Sequence, residues 1–88
     1  MIEYEDYITQ YEVPLRWGYK ITPIKVEKET ESSVWVDGRR RAKKTAYDKI
    51  FKTLEEAKRF MIARCEREIA EYEERISDAR EALIDFKR

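Results

Sequence analysis

Residues 53–88 read TLEEAKRFMIARCEREIAEYEERISDAREALIDFKR, and the reading of that stretch decides the fold. From Leu54 to Arg88 there is neither glycine nor proline, so nothing in it breaks a helix. Thr53 to Glu56 has the form of a capping box. The Thr53 hydroxyl can accept from the Glu56 amide, and the Glu56 carboxylate can bond back to the Thr53 amide. Leu54, Met61, Cys65, Ile69, Tyr72, Ile76, Ala79, Leu83 and Phe86 recur at threes, fours and sevens. The last five step 4-3-4-3, the spacing of a two-heptad coiled-coil seam. Glu55–Arg59 and Glu71–Arg75 add attraction between residues four apart. Ser77 or Asp78 could cap a second helix, but one unbroken helix over 53–88 is the preferred reading.

The residues before the helix read as a sheet over 16–47. In WGYKITPIKVEKETES, Tyr19 and Ile21 alternate in one phase and Ile24 and Val26 in the other. A strand changes phase only across an irregularity, which places a bulge at Pro23, on an edge strand. SVWVDG is a second strand, and Asp37-Gly38 is a strong hairpin signal. RRRAKKTAY returns as the third strand of an antiparallel meander. Residues 1–15 form an N-terminal segment. Tyr4, Tyr7, Ile8 and Tyr11, three and four apart, suit either a short helix or an aromatic clamp, stopped at Pro14. The expected fold is therefore α+β: a three-stranded antiparallel sheet on one long C-terminal helix, in a single domain over 1–88.

Length then sets a mismatch. A helix of this extent runs about 52 Å at about 1.5 Å per residue, whereas strands of six or seven residues cover about 20–24 Å. The sheet can shield Leu54 to Ile69. Tyr72, Ile76, Ala79, Leu83 and Phe86 would stay wet, at about 1.5–3 kcal/mol for each large apolar side chain. These five are the expected interface of a homo-oligomer, most simply a dimer with antiparallel or crossed helices.

Composition narrows the chemistry. Charged residues make up 43% of the 88, yet 19 Lys and Arg balance 19 Asp and Glu. The balance is uneven along the chain: residues 1–12 carry four carboxylates and no base, while 37–49 carry six cations against two carboxylates. A neutral chain with a basic middle suits self-association or a compact anion better than a long nucleic acid. Histidine is absent, which removes the commonest general base and zinc ligand. Cys65 lies on the helical stripe and reads as a small buried hydrophobe. Two glycines cannot build a phosphate loop. No enzyme activity, cofactor or metal is expected. The acidic start and the lack of an apolar run near 20 residues argue against a secretory signal or a membrane span, so the expected location is the cytoplasm.

The hairpin carries the sharper reading. With a two-residue turn Trp35 faces Arg40, and with a three-residue loop it faces Arg39, so in either register an indole adjoins a guanidinium. Trp35 or Tyr47 could stack on a base while Arg39, Arg40, Arg41, Lys43 and Lys44 meet phosphate. The plainer reading is a solvated edge strand, charged against edge-to-edge pairing, with Trp35 packed on the helix.

A tryptophan strand, VDGRRRAKK, the spacer AYDKIF, KTLEEAKRF and the charged ERE…EYEERISDAREAL together resemble small phage and prophage accessory proteins over about residues 33–88. The strand-then-helix layout is similar to that of the Thoeris anti-defence sponges. That resemblance implies a non-enzymatic protein that sequesters a small cyclic nucleotide signal, such as a cyclic ADP-ribose isomer, between a sheet and the helices of neighbouring subunits. It assigns no ligand residue. The alternatives are an inhibitor that binds a host defence complex, as anti-CRISPR proteins do, and a structural oligomer without ligand.

Overall fold

The structure, a computed structural model, describes residues 7–88. Tyr4 and the acidic Glu3, Glu5 and Asp6 lie outside the described residues, so that part of the N-terminal reading has no counterpart here. The described elements are β1 (Ile8–Pro14), β2 (Thr22–Val26), β3 (Lys28–Glu29), β4 (Ser33–Val36), β5 (Arg39–Ala42), β6 (Asp48–Phe51) and α1 (Leu54–Phe86). The fold is α+β, but the strands form two three-stranded antiparallel sheets and not one meander. Their orders are β2-β1-β6 and β3-β4-β5.

Residues 8–14 correct the expectation of a helix or clamp. ITQYEVP is a strand, and the central one of the first sheet. Its faces alternate strictly. Tyr11 and Val13 turn to the helix, and Gln10 and Glu12 turn to the second sheet, with polar residues on an inward face hiding the period of two. AYDKIF is likewise no spacer, because β6 pairs with β1, setting Tyr11 against Phe51 and Val13 against Lys49.

The bulge expected at Pro23 is absent: pairing runs without a gap from Ile8–Val26 to Glu12–Thr22, and Pro23 faces Tyr11. Tyr19 and Ile21 precede the strand in a loop, so the change of phase marks the strand's start. Pro23 does lie on an edge strand, where its missing N–H costs no ladder bond. The true irregularity is at Glu27, where the chain leaves the first sheet for the second. The Glu27 amide donates to Trp35 O at 2.8 Å, and its carboxylate accepts from the Gly38 amide at 2.6 Å. Asp37 and Gly38 have φ of 53° and 75°, and Val36 pairs with Arg39. This is the two-residue primed turn that Asp-Gly favours.

Two apolar clusters lie on opposite faces of the first sheet. On one face Val13, Ala57 and Met61 are buried with Tyr11, Phe51, Phe60 and Ile21 around them. Phe51 and Phe60 meet at 5.3 Å between ring centroids, a tilted aromatic contact. On the other face Val26, Val34 and Ile50 are buried beside Ile24 and Val36, joining the two sheets.

The helix is continuous through Ser77 and Asp78. Thr53 caps it: its Oγ1 accepts from the Glu56 amide at 3.1 Å. The return bond differs from the expected one, because the Glu56 carboxylate accepts from the Thr53 hydroxyl at 2.9 Å. Cover by the sheet is shorter than expected at both ends. Ala57, Met61 and Arg64 are the buried helix residues, Leu54 is exposed, and Ile69 is already 57% exposed. From Ile69 to Arg88 every residue is exposed apart from half-buried Ala82. The resulting body measures 72 × 22 × 18 Å.

Candidate functional site

The hairpin builds its outer face from alternation. Val34 enters the core, so Trp35 turns the other way. Lys28 and Arg40 are its partners on the flanking strands. The cation over the indole is Lys28, 4.8 Å from the ring centroid, where an arginine was expected. Arg40 instead donates from Nε to Ser33 Oγ at 3.1 Å. Trp35 is thus half-buried on the second sheet, and not packed on the helix.

The other expected phosphate-binding cations divide into two groups. Arg41 points inward, ion-paired to Glu12 and 3.9 Å from Asp48. The Lys43 ammonium lies 2.8 Å from the Glu29 carboxylate. The Lys43 ammonium holds the Glu29 carboxyl below its usual range despite burial. Both cations already serve carboxylates. Arg39, Arg40 and Lys44 remain exposed, so three cations of the five face solvent.

Tyr47 lies elsewhere. It stacks on Trp17, with centroids 6.0 Å apart and planes at 19°, and the Arg16 guanidinium sits 5.9 Å from its centroid. The two rings border an open cleft of about 260 Å³, lined also by Gly18, Lys20, Glu12 and Asp48. Trp35 is not in that lining, so the structure does not bring Tyr47 and Trp35 together. The cleft offers an aromatic pair, a lysine, and two carboxylates shared with Arg41. The sequence reading passed over Trp17 and Lys20. The dipeptide Trp17-Gly18, an aromatic beside a residue at φ 78°, was the available signal.

The strongest polar node was also missed. Arg64 is 3% exposed and folds residues 14–18 over itself. Its guanidinium donates to Pro14 O at 2.7 Å, Gly18 O at 2.9 Å and Arg16 O at 3.0 Å. Nε lies 2.6 Å from Glu68 Oε2. Tyr19 closes the group. Its ring lies 4.9 Å from the Arg64 guanidinium carbon, and its hydroxyl donates to Glu68 Oε1 at 2.7 Å. That bond first, and the Arg64 bond second, lower the Glu68 pKa. The same Tyr19–Glu68 bond is the main cause that raises the Tyr19 pKa, against the opposing charge of Arg64. A buried cation is tolerable only when its donors are taken up, and a guanidinium fork suits three carbonyls and a carboxylate. Arg64 is a clamp between loop and helix. Its position after Ala57 and Met61, at steps of four and three, was the clue to its buried face.

Among the described residues no group of three or more Cys, Asp or Glu is placed to hold a metal ion, and no helix is long and apolar enough to cross a membrane. No known protein family, curated protein or solved structure matches this chain. The likeness to phage accessory proteins rests on the quoted motifs alone.

Proposed function

We propose that this protein is a non-enzymatic binding protein that assembles through its C-terminal helix. One observation carries the reading: beyond the sheet, Ile69, Tyr72, Ile76 and Leu83 form a stripe about half exposed, on a stretch of helix that no other described element covers. Apolar area of that extent on one helical face is what association buries. Native mass spectrometry of protein taken directly from cells tests it. The expected spectrum shows more than one copy per particle; a single copy at every concentration tried overturns the reading.

A second reading, capture of a small planar anion, is favoured by the Lys28–Trp35–Arg40 face of the second sheet. An aromatic plane flanked by cations is suited to stacking and phosphate contact. In the anti-defence setting that the resemblance implies, the ligand is a cyclic nucleotide such as a cyclic ADP-ribose isomer. The expected result is a higher melting temperature with one member of a cyclic-nucleotide panel, lost in Arg40→Ala. An unchanged melting curve across the panel removes this reading.

A further inference from the structure

The exposed seam is longer than its five most distal members. Met61 turns into the core, but Ile62 is 57% exposed and takes over the stripe. Ile62, Cys65, Ile69, Tyr72, Ile76, Ala79, Leu83 and Phe86 then step 3-4-3-4-3-4-3 without interruption. A strict seven-residue repeat of this kind is matched by another helix of the same repeat.

The charges beside the seam choose the direction. One flank carries Glu66, Glu73, Arg80 and Lys87, each seven residues after the last. The other carries Met61, Glu68, Arg75 and Ala82. In a parallel pair the two flanks meet each other, setting Glu68 against Glu73 and Arg75 against Arg80. Both are like-charge contacts. In an antiparallel pair each flank meets itself, and on the first flank the order acid, acid, base, base becomes complementary to its own reverse.

We infer that the partner is a second copy of this chain, antiparallel, with the two-fold axis between Ser77 and Asp78. This rests on the assembly reading above and deepens it. In that register Ile76 meets Ala79 of the second copy, Tyr72 meets Leu83, and Ile69 meets Phe86. Glu73 faces Arg80 and Glu66 faces Lys87, each twice. Arg75, whose guanidinium carbon lies 5.6 Å from the Tyr72 ring centroid, faces the small Ala82. A shift of one heptad either way sets Glu73 against Glu73 or Arg80 against Arg80, and only the central register avoids both.

A separate observation agrees. An apolar groove of about 420 Å³ runs along Ile21, Met61, Ile62, Cys65 and Ile69. Phe86 is the most exposed large apolar side chain described, at 85%. The register chosen by charge brings Phe86 of the second copy to Ile69, at the end of that groove, and Lys87 to Glu66 on its border.

The test uses two full-length chains with different tags, each carrying Cys65→Ser, one with Tyr72→Cys and the other with Leu83→Cys. They are mixed and mildly oxidised. The expected product is the mixed disulfide, in excess over either like pair. Like pairs in excess, in a preparation that sedimentation equilibrium shows to be dimeric, overturn the antiparallel register and leave the assembly reading standing. A monomer at all concentrations overturns both. Charge exchange supplies a second arm: Glu73→Arg or Arg80→Glu alone should raise the dimer dissociation constant about tenfold, since each dimer contains two such pairs. Both exchanges in one chain should restore it to within about threefold. Singles without effect, or a double no better than either single, sink the register.

Discussion

The two halves of α1 share a composition and a helical conformation, yet they are held by different things. From Ala57 to Glu68 the helix is fixed along one face, by the first sheet through Val13 and Phe51 and then by the Arg64 carbonyl clamp. From Ile69 onward it has its own backbone bonds, and among the described residues nothing packs over its apolar stripe. Helical stability in proteins comes mostly from packing an amphipathic face, with propensity a smaller contribution. The proximal half is therefore stable by design of the fold, and the distal half draws on whatever covers its stripe.

Three substitutions or conditions probe that contrast. The largest effect belongs to Arg64→Met, which takes the buried donors away from the Pro14, Arg16 and Gly18 carbonyls and leaves Glu68 without its cation. Urea unfolding should show a loss of about 3–5 kcal/mol, with hydrogen exchange rising first in residues 14–19. A loss below about 1 kcal/mol would mean that the proximal half is held by apolar contact alone.

Acid gives an intermediate effect. Glu68 has a folded pKa below its ordinary value of 4.5, so it stabilises the fold above that value. The contribution is lost as pH falls through the lower folded pKa. Tyr19→Phe removes the hydroxyl that contributes most to the shift, so its stability should fall less steeply with acid than that of the parent. Equal slopes in urea titrations below pH 4.5 would detach Tyr19 from the clamp.

The smallest effect on the single chain is expected at Leu83→Ala. Leu83 is exposed and has no cover among the described residues, so stability in dilute solution should change by no more than about 0.5 kcal/mol, while self-association weakens. A loss of several kcal/mol in dilute monomer would show that the distal stripe folds back on its own sheet.

The sequence was most legible where the cause is local. Thr53 with Glu56 needs only four consecutive residues, and Asp37-Gly38 needs two, so the cap and the turn could be read directly. The unbroken helix followed from the lack of Gly and Pro across its whole length. Strand β1 was obscured because Gln10 and Glu12 occupy an inward face, so the apolar residues of that stretch fall at spacings that imitate a helix. Strand β6 was obscured because Asp48 and Lys49, its first two residues, look like linker. The division into two sheets turns on Glu27, whose bonds to the Gly38 and Trp35 region are long-range. At the candidate site, the sequence left Trp35 across from either Arg40 or Arg39, the two-residue turn selects Arg40, and Lys28 came to the ring from a third strand that no local pattern announced. Arg64 was hardest of all, because three of its partners are backbone carbonyls some fifty residues earlier, and carbonyls leave no trace in residue identity.

The shape of the single chain has a practical consequence for anyone measuring it. A body 72 Å long and only 22 by 18 Å across has a larger Stokes radius than a sphere of the same 10.7 kDa. One lone subunit would elute from a sizing column ahead of globular standards of its own weight, imitating a pair. Elution volume is thus a poor judge of stoichiometry for this molecule, and light scattering on the eluting peak is the measurement that tells one rod from two.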